Sequence, residues 1–256
     1  MSKAQLQSID MSSSSFSSVS DLWPEGQTQT LSGRIIEHMR NSLFAGNLKS
    51  GAFLGTEASW AQEFGVSRMA SRDAIHALKA AGIIEIKIGA RGGIFVADAN
   101  PDRFAEALAI QMKLIGVEHA EVLDAQIAIE VTATELAAQR ASAQDVAGLR
   151  ALVAQMRDQT HQPDLFTQLS MQFHESLIAA SQNRVLIAQF RGLRHLLLPH
   201  YTRHATREVA ERAIVSHEAL LDFIAAGDSA GASKLMRERL YLIRNVQLSG
   251  RAAEAR

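Results

Sequence analysis

Arg68 and Arg72 stand four residues apart in Gly65-Val66-Ser67-Arg68-Met69-Ala70-Ser71-Arg72. On a helix that spacing projects both guanidinium groups from one face, and a guanidinium fork matches the O6/N7 edge of guanine in the major groove. Arg91 lies in the turn Gly89-Ala90-Arg91-Gly92-Gly93, which can carry a cation to phosphate or into the minor groove. The histidines form a second set of candidates. His200 and His204 have metal-capable spacing, but no carboxylate lies between or beside them, and with His195 they read as exposed or pocket-lining. His174-Glu175 and His217-Glu218 each lack the second histidine that a zinc-protease helix needs. There is no Gly-x-Ser-x-Gly elbow, P-loop or dinucleotide fingerprint. Two arginines four apart describe a solvated helix face if taken alone; the elements around them give the pair its meaning.

Those elements follow in a set order. A short helix begins after Thr56, Gly65 turns the chain, and Ser67 can cap a second helix. In that helix Val66, Met69, Ala70, Ala74, Ile75, Ala77 and Leu78 recur at helical spacing and are expected to bury one face. Gly82–Ile88 alternates apolar and charged residues from Ile84 as a half-buried strand, and Ile94-Phe95-Val96 forms the second strand after the glycine-rich turn. Upstream, Leu31, Ile35, Ile36, Met39, Leu43 and Phe44 predict a helix over 28–45, with a loop from Leu48 to Gly55. Asn100-Pro101 marks a domain boundary. Beyond it, seven helices are expected near 101–115, 118–140, 142–160, 163–181, 183–204, 207–226 and 228–247, with Asp145, Asp164, Asn183 and Asp228 at their starts. The predicted fold is mainly α: an N-terminal winged helix-turn-helix followed by an all-α antiparallel bundle. Its domains are a flexible Ser-rich tail (1–27), the DNA-binding unit (28–98), the helical unit (101–247) and a short flexible tail (248–256). A docked segment around Leu22-Trp23 is the alternative for the first tail.

The formal net charge is −1, too close to neutral for a protein that coats nucleic acid by bulk charge, which argues against an architectural DNA-binding protein. The charge is unevenly placed: residues 28–98 carry eight Lys and Arg against six Asp and Glu. A mildly basic small domain beside a near-neutral larger one suits sequence-specific binding with a separate regulatory body. The absence of cysteine excludes disulfides, thiolate zinc fingers and thiol catalysis. No run of 18 apolar residues and no apolar signal core is present, so a cytoplasmic protein that does not span a membrane is expected.

Gly65-Val66-Ser67-Arg68, Arg72, Gly82 and Arg91-Gly92-Gly93-Ile94-Phe95-Val96 together resemble the GntR family of bacterial transcription regulators, whose recognition segment reads Gly-Val-Ser-Arg, then Val-Arg-Glu-Ala-Leu, then a wing ending Phe-Val. Three positions depart from the pattern: Ala70 replaces the usual Pro, Ser71 the Val, and Ala58 an Arg that contacts a base in the FadR-like branch. The DNA-contacting set is accordingly expected at Thr56, Ser67, Arg68, Ser71, Arg72, Arg91, Gly92 and Gly93. The helical half resembles the FCD effector domain through Ile129-Glu130, Ala137-Ala138, Phe173-His174, Leu177, Ala179-Ala180, Asn183 and Ser216-His217-Glu218.

What the resemblance implies is a one-component regulator, more a repressor than an activator. It would bind double-stranded DNA at a pseudo-palindromic operator as a homodimer and be released or reshaped by a small-molecule effector. Many family members hold a divalent metal with one Asp and three His. Those positions are Ser170, His174, His217 and Arg239 here, so two ligands are missing and one is replaced by a cation. No cofactor is expected; if a metal bound at all, it would use His174 and His217. The effector site is expected at Gln126, Ser170, His174, Asn183, His217 and Arg239, taking an organic acid, an aromatic catabolite or an acyl-CoA-like thioester. Gln126 stands where an Arg often holds the effector's carboxylate. The competing reading is a metal-dependent hydrolase built on the His-rich half.

Overall fold

The computed structural model describes residues 30–89 and 91–254, in two compact units that divide between Ala99 and Asn100. The expected N-terminal tail with Leu22-Trp23 and the wing residue Ala90 lie outside the described residues.

The first unit contains α1 (Leu31–Phe44), α2 (Glu57–Glu63), α3 (Arg68–Ala80), β1 (Ile84–Lys87) and β2 (Gly93–Val96). α1 begins at Leu31, the first residue of its apolar pattern, where Thr30 caps it: the Gly33 N–H donates to Thr30 Oγ1 at 3.1 Å. Ile35 and Met39 of α1, Trp60 of α2, Ala74, Ile75 and Leu78 of α3, and Ile84 and Ile94 of the strands close the core. The Trp60 indole N–H donates to the Leu54 carbonyl at 2.6 Å.

α3 buries Ala74, Ile75 and Leu78 of its expected apolar face, but the face is rotated toward Ser71 and away from Met69 and Ala77. Ser71, Ala74, Ile75 and Leu78 are buried, while Met69 is 75% exposed. The alternative stripe through Met69 would have drawn Arg72, Asp73 and His76 into the core, and unpaired buried charge costs more than one exposed methionine. The expected loop before α2 is more ordered than its composition suggests. Leu54 N–H donates to Ile94 O (2.8 Å), Ile94 N–H to Gly55 O (2.8 Å) and Val96 N–H to Ala52 O (2.9 Å), so residues 52–55 line the edge of β2. β1 and β2 pair antiparallel from Ile84↔Val96 to Lys87↔Gly93. β2 keeps an alternating pattern with Ile94 and Val96 buried, but on β1 only Ile84 is in the core and Ile88 beyond it is 99% exposed, so the expected half-buried alternation fails on β1. At Gly93, φ is +151°, and a Cβ would lie 2.4 Å from Phe53 Cε2 and 2.8 Å from Gly55 O. Only glycine lets the ribbon cross there.

The second unit contains α4 (Pro101–Leu114), α5 (His119–Arg140), α6 (Ala143–Asp158), α7 (Pro163–Ala180), α8 (Arg184–Arg203), α9 (Arg207–Ala225) and α10 (Ser229–Glu254). α5 is the axial helix and packs against α7, α8, α9 and α10. Its apolar residues therefore run nearly all round rather than along one stripe. Leu123, Ile127 and Val131 meet Phe173, Leu177, Phe190, Leu197, Leu220 and Met236 in one core.

The helix starts are built as their sequences suggest. Ser142 and Asp145 form a reciprocal capping box, Asp164 sits in the first turn of α7, and Asp228 Oδ1 accepts from Gly231 N–H at 2.9 Å. α8 runs through Pro199, and its Gly192 lets α4 approach, since a Cβ there would stand 2.7 Å from Leu108 Cδ2. α10 continues to Glu254 instead of ending near 247, so most of the expected C-terminal tail is helix. No described helix is long and apolar enough to cross a membrane.

Candidate nucleic-acid interface and effector site

In the first unit, the expected DNA contacts separate into two kinds. Arg68 opens α3 and is exposed, Arg72 lies one turn on and is exposed, and Arg91 is exposed on the wing. Among the described residues no ion pair engages Arg68 or Arg91, whereas Arg72 Nε lies 2.9 Å from Glu57 Oε1. Thr56 and Ser67 face the same region, but their hydroxyls are occupied as caps, accepting from Ser59 N–H and Ala70 N–H, each at 3.2 Å. Gly92 and Gly93 shape the ribbon; a Cβ on Gly92 would come within 2.6 Å of Lys87 O. Ser71 does not belong to this set. Its side chain is fully buried with no hydrogen-bond partner, pointing into the domain core and away from any groove.

In the second unit, three polar residues interrupt the apolar α5 at four-residue spacing: Gln126, Glu130 and Thr134, all buried. Glu130 is wholly enclosed. Its Oε1 accepts from Gln126 Nε2 at 2.6 Å, and its Oε2 pairs with His174 Nδ1 from α7. Gln126 Oε1 in turn accepts from the Tyr201 hydroxyl of α8 at 3.0 Å. His217 of α9 brings its Nε2 to 3.3 Å from His174 Nε2 and stacks on Phe173, with ring centroids 4.1 Å apart. Arg239 of α10 completes the group.

The electrostatics follow from this enclosure. Burial holds the His217 imidazole well below its ordinary pKa, and the neighbouring Arg239 and His174 push the same way. Burial also lowers the Arg239 guanidinium, which Glu130 and Tyr201 oppose. The Tyr201 phenol is pushed up, first by burial and then by Glu130. His217 Nδ1 and Arg239 Nη1 are out of solvent and without a partner, as is Thr134 Oγ1, one turn beyond Glu130 on α5.

Of the six residues expected at the effector site, Gln126, His174, His217 and Arg239 belong to one network, and Ser170 is buried one turn before His174. Asn183 does not join them. Its Oδ1 caps α8, accepting from Val185 N–H at 3.1 Å and Leu186 N–H at 3.3 Å. Two members were not among the expected site residues, Glu130 and Tyr201. A lone carboxylate in Gln126-Ile127-Ala128-Ile129-Glu130-Val131 was the available signal for the first; nothing local marked Tyr201. His200 lies against both His119 and His204, with ring centroids 3.6 and 4.6 Å away, and His195 and His204 are exposed.

The donors do not fit a divalent ion. Only two imidazoles converge, one already bound to Glu130, while a hydroxyl and a guanidinium occupy the other two positions. Divalent sites take three or four protein ligands, and a dication beside Arg239 would meet like charge. Among the described residues no group of three or more His, Cys, Asp or Glu is arranged to hold a metal.

Comparison with known proteins gives the same two-part division. Residues 31–96 match the bacterial regulatory proteins of the gntR family, and residues 121–241 match the FCD domain. The HTH-type transcriptional regulator LutR of Bacillus subtilis (strain 168) is 28% identical over 213 residues, covering 80% of this chain and 95% of that protein. The Exu regulon transcriptional regulator of Escherichia coli (strain K12) is 33% identical over 135 residues, covering 53% of this chain and 50% of its own length. A solved structure of Streptococcus agalactiae GntR shares the fold with a TM-score of 0.58 at 16% identity, covering 84% of this chain and 99% of that one. The two matched segments span well over half the sequence and coincide with the two units. The chain belongs to the GntR family of bacterial regulatory proteins and is a transcription regulator with an FCD domain, not an enzyme.

Proposed function

We propose that this regulator represses by binding a pseudo-palindromic operator as a homodimer and that a small organic anion, bound without a metal in the helical unit, releases it. The observation that carries the effector reading is the pair of unpartnered buried atoms, His217 Nδ1 and Arg239 Nη1, beside a carboxylate already saturated by its own donors. A buried orphan donor costs about 1–3 kcal/mol, and a carboxylate placed on Arg239 would remove that cost through charge-assisted hydrogen bonds. The enclosure of Gln126, Glu130, His174 and His217 favours a compact acid over a long acyl-CoA thioester. Phe104, Ile110 and Leu114 of α4, with Ile115 just after it, are half or more exposed and supply apolar surface suited to a second copy.

The test is a thermal-shift screen of the full-length protein, stripped with EDTA, against organic acids, aromatic acids, acyl-CoAs and divalent metals. A ligand at 100 times its Kd adds about 2.7 kcal/mol to the native state, a rise of roughly 5–11 °C for a protein of this size. Stabilisation by an organic acid and by no metal supports the reading. A shift with zinc, nickel or manganese that disappears in His174→Ala overturns it.

A further inference from the structure

α3 presents Arg68, Met69, Arg72, Asp73 and His76 to solvent, and among the described residues only Arg72 forms an ion pair with another element. Its partner, Glu57, is the first residue of α2, directly after the Thr56 cap. The two side chains are 62% and 54% exposed, so the pair lies on the open surface and not in the core. Exposed pairs add little to folding, and this one adds a second carboxylate, beside Asp73, to a face that presents Arg68 and Arg72 to a polyanion. An acidic side chain there weakens attraction to phosphate, so it needs a separate reason to be in place.

The geometry of the contact supplies one. Glu57 Oε1 forms an ion pair with the guanidinium, lying 2.9 Å from Arg72 Nε. An ion pair centred on Nε leaves the end-on Nη1/Nη2 fork, which makes no hydrogen bond among the described residues. That fork matches O6 and N7 of guanine. We infer that Glu57 is a positioning residue: it holds Arg72 with its terminal fork outward and so sets the discrimination of this surface for guanine. Because Ala58 offers no guanidinium of its own, Glu57 is the charged residue that α2's first turn contributes to this face. Holding a flexible arginine before binding reduces the ordering cost at the interface, and the carboxylate disfavours unselective phosphate contact, so both effects raise selectivity at the expense of general affinity.

The inference rests on the DNA-reading role proposed for α3, and the test separates the two. Full-length wild type, Glu57→Gln, Arg72→Ala and the double variant are each used to select from a randomised duplex library, and the winning duplexes are then measured by competition. Arg72→Ala identifies the guanine that Arg72 reads. Glu57→Gln is expected to lose about tenfold of the preference for that guanine, to bind unrelated duplex more tightly, and to melt at the wild-type temperature. In the Arg72→Ala background it is expected to change nothing at that position. If wild type selects no sequence, the DNA-reading role itself fails. If wild type selects and Glu57→Gln keeps full discrimination, or loses preference at a cytosine independently of Arg72, the positioning role is overturned.

Discussion

Replacing Glu130 should uncouple the stability of the helical unit from its affinity for anions. Glu130 is wholly buried, accepts from Gln126 Nε2 and His174 Nδ1, and opposes the charge of Arg239. Glu130→Gln keeps the shape but removes the charge, leaving one donor misplaced and the guanidinium without its counter-charge. Leaving a buried donor unsatisfied costs about 1–3 kcal/mol. At roughly 2–4 °C per kcal/mol for a chain of this length, the unit should melt about 2–12 °C lower. The same change frees Arg239 from its internal competitor, so the stabilisation given by a bound organic acid should grow. Differential scanning fluorimetry of both proteins, with and without the acid, reads both effects. A Glu130→Leu/Arg239→Met double variant should recover part of the loss, because it removes both charges together. Melting of Glu130→Gln within about 1 °C of wild type, or weaker stabilisation by the acid, would refute a network balanced on Glu130 and Arg239.

Other consequences test separate parts of the structure. Ser71→Ala removes a buried hydroxyl with no partner, so it should stabilise the winged helix by up to about 1 kcal/mol and leave operator affinity unchanged in a gel-shift titration. His217 is held neutral with a depressed pKa, so the unfolded chain binds the proton first as pH falls below its ordinary value of 6.5. Stability is therefore fully present above that pH and declines below it by up to about 1.4 kcal/mol per pH unit; in denaturant melts between pH 7.5 and 5.5, His217→Gln should show a shallower decline than wild type. If Arg91 meets phosphate, Arg91→Ala should lower the slope of log affinity against log salt by about 1 and leave the selected sequence unaltered.

Much of this architecture was legible in the sequence because local signals and tertiary demand agreed. Gly65, Ser67 and the Gly92-Gly93 turn place the winged helix, and Asp145, Asp164 and Asn183 mark helix starts where the structure uses them. The phase of α3 was harder to read. Met69 and Ala77 look like core residues and Ser71 like a surface residue, yet keeping Arg72, Asp73 and His76 in water decided the rotation. The effector network was half visible for a similar reason. His174, His217 and Arg239 occupy positions where the family places metal ligands, whereas Glu130 joins them only because Gln126, Glu130 and Thr134 fall on one line of an axial helix. Asn183 shows the reverse case: a polar residue in a suggestive position is fully occupied by its helix start.

The most direct measurement is fluorescence anisotropy of an operator duplex, selected by the protein itself, held by EDTA-treated wild type or Arg239→Ala and titrated with the stabilising organic acid. Release of the duplex from wild type without metal, and none from Arg239→Ala over the same range, is the predicted result. Release that requires a divalent metal, or an unchanged response in Arg239→Ala, would contradict a metal-free anion site at His217 and Arg239.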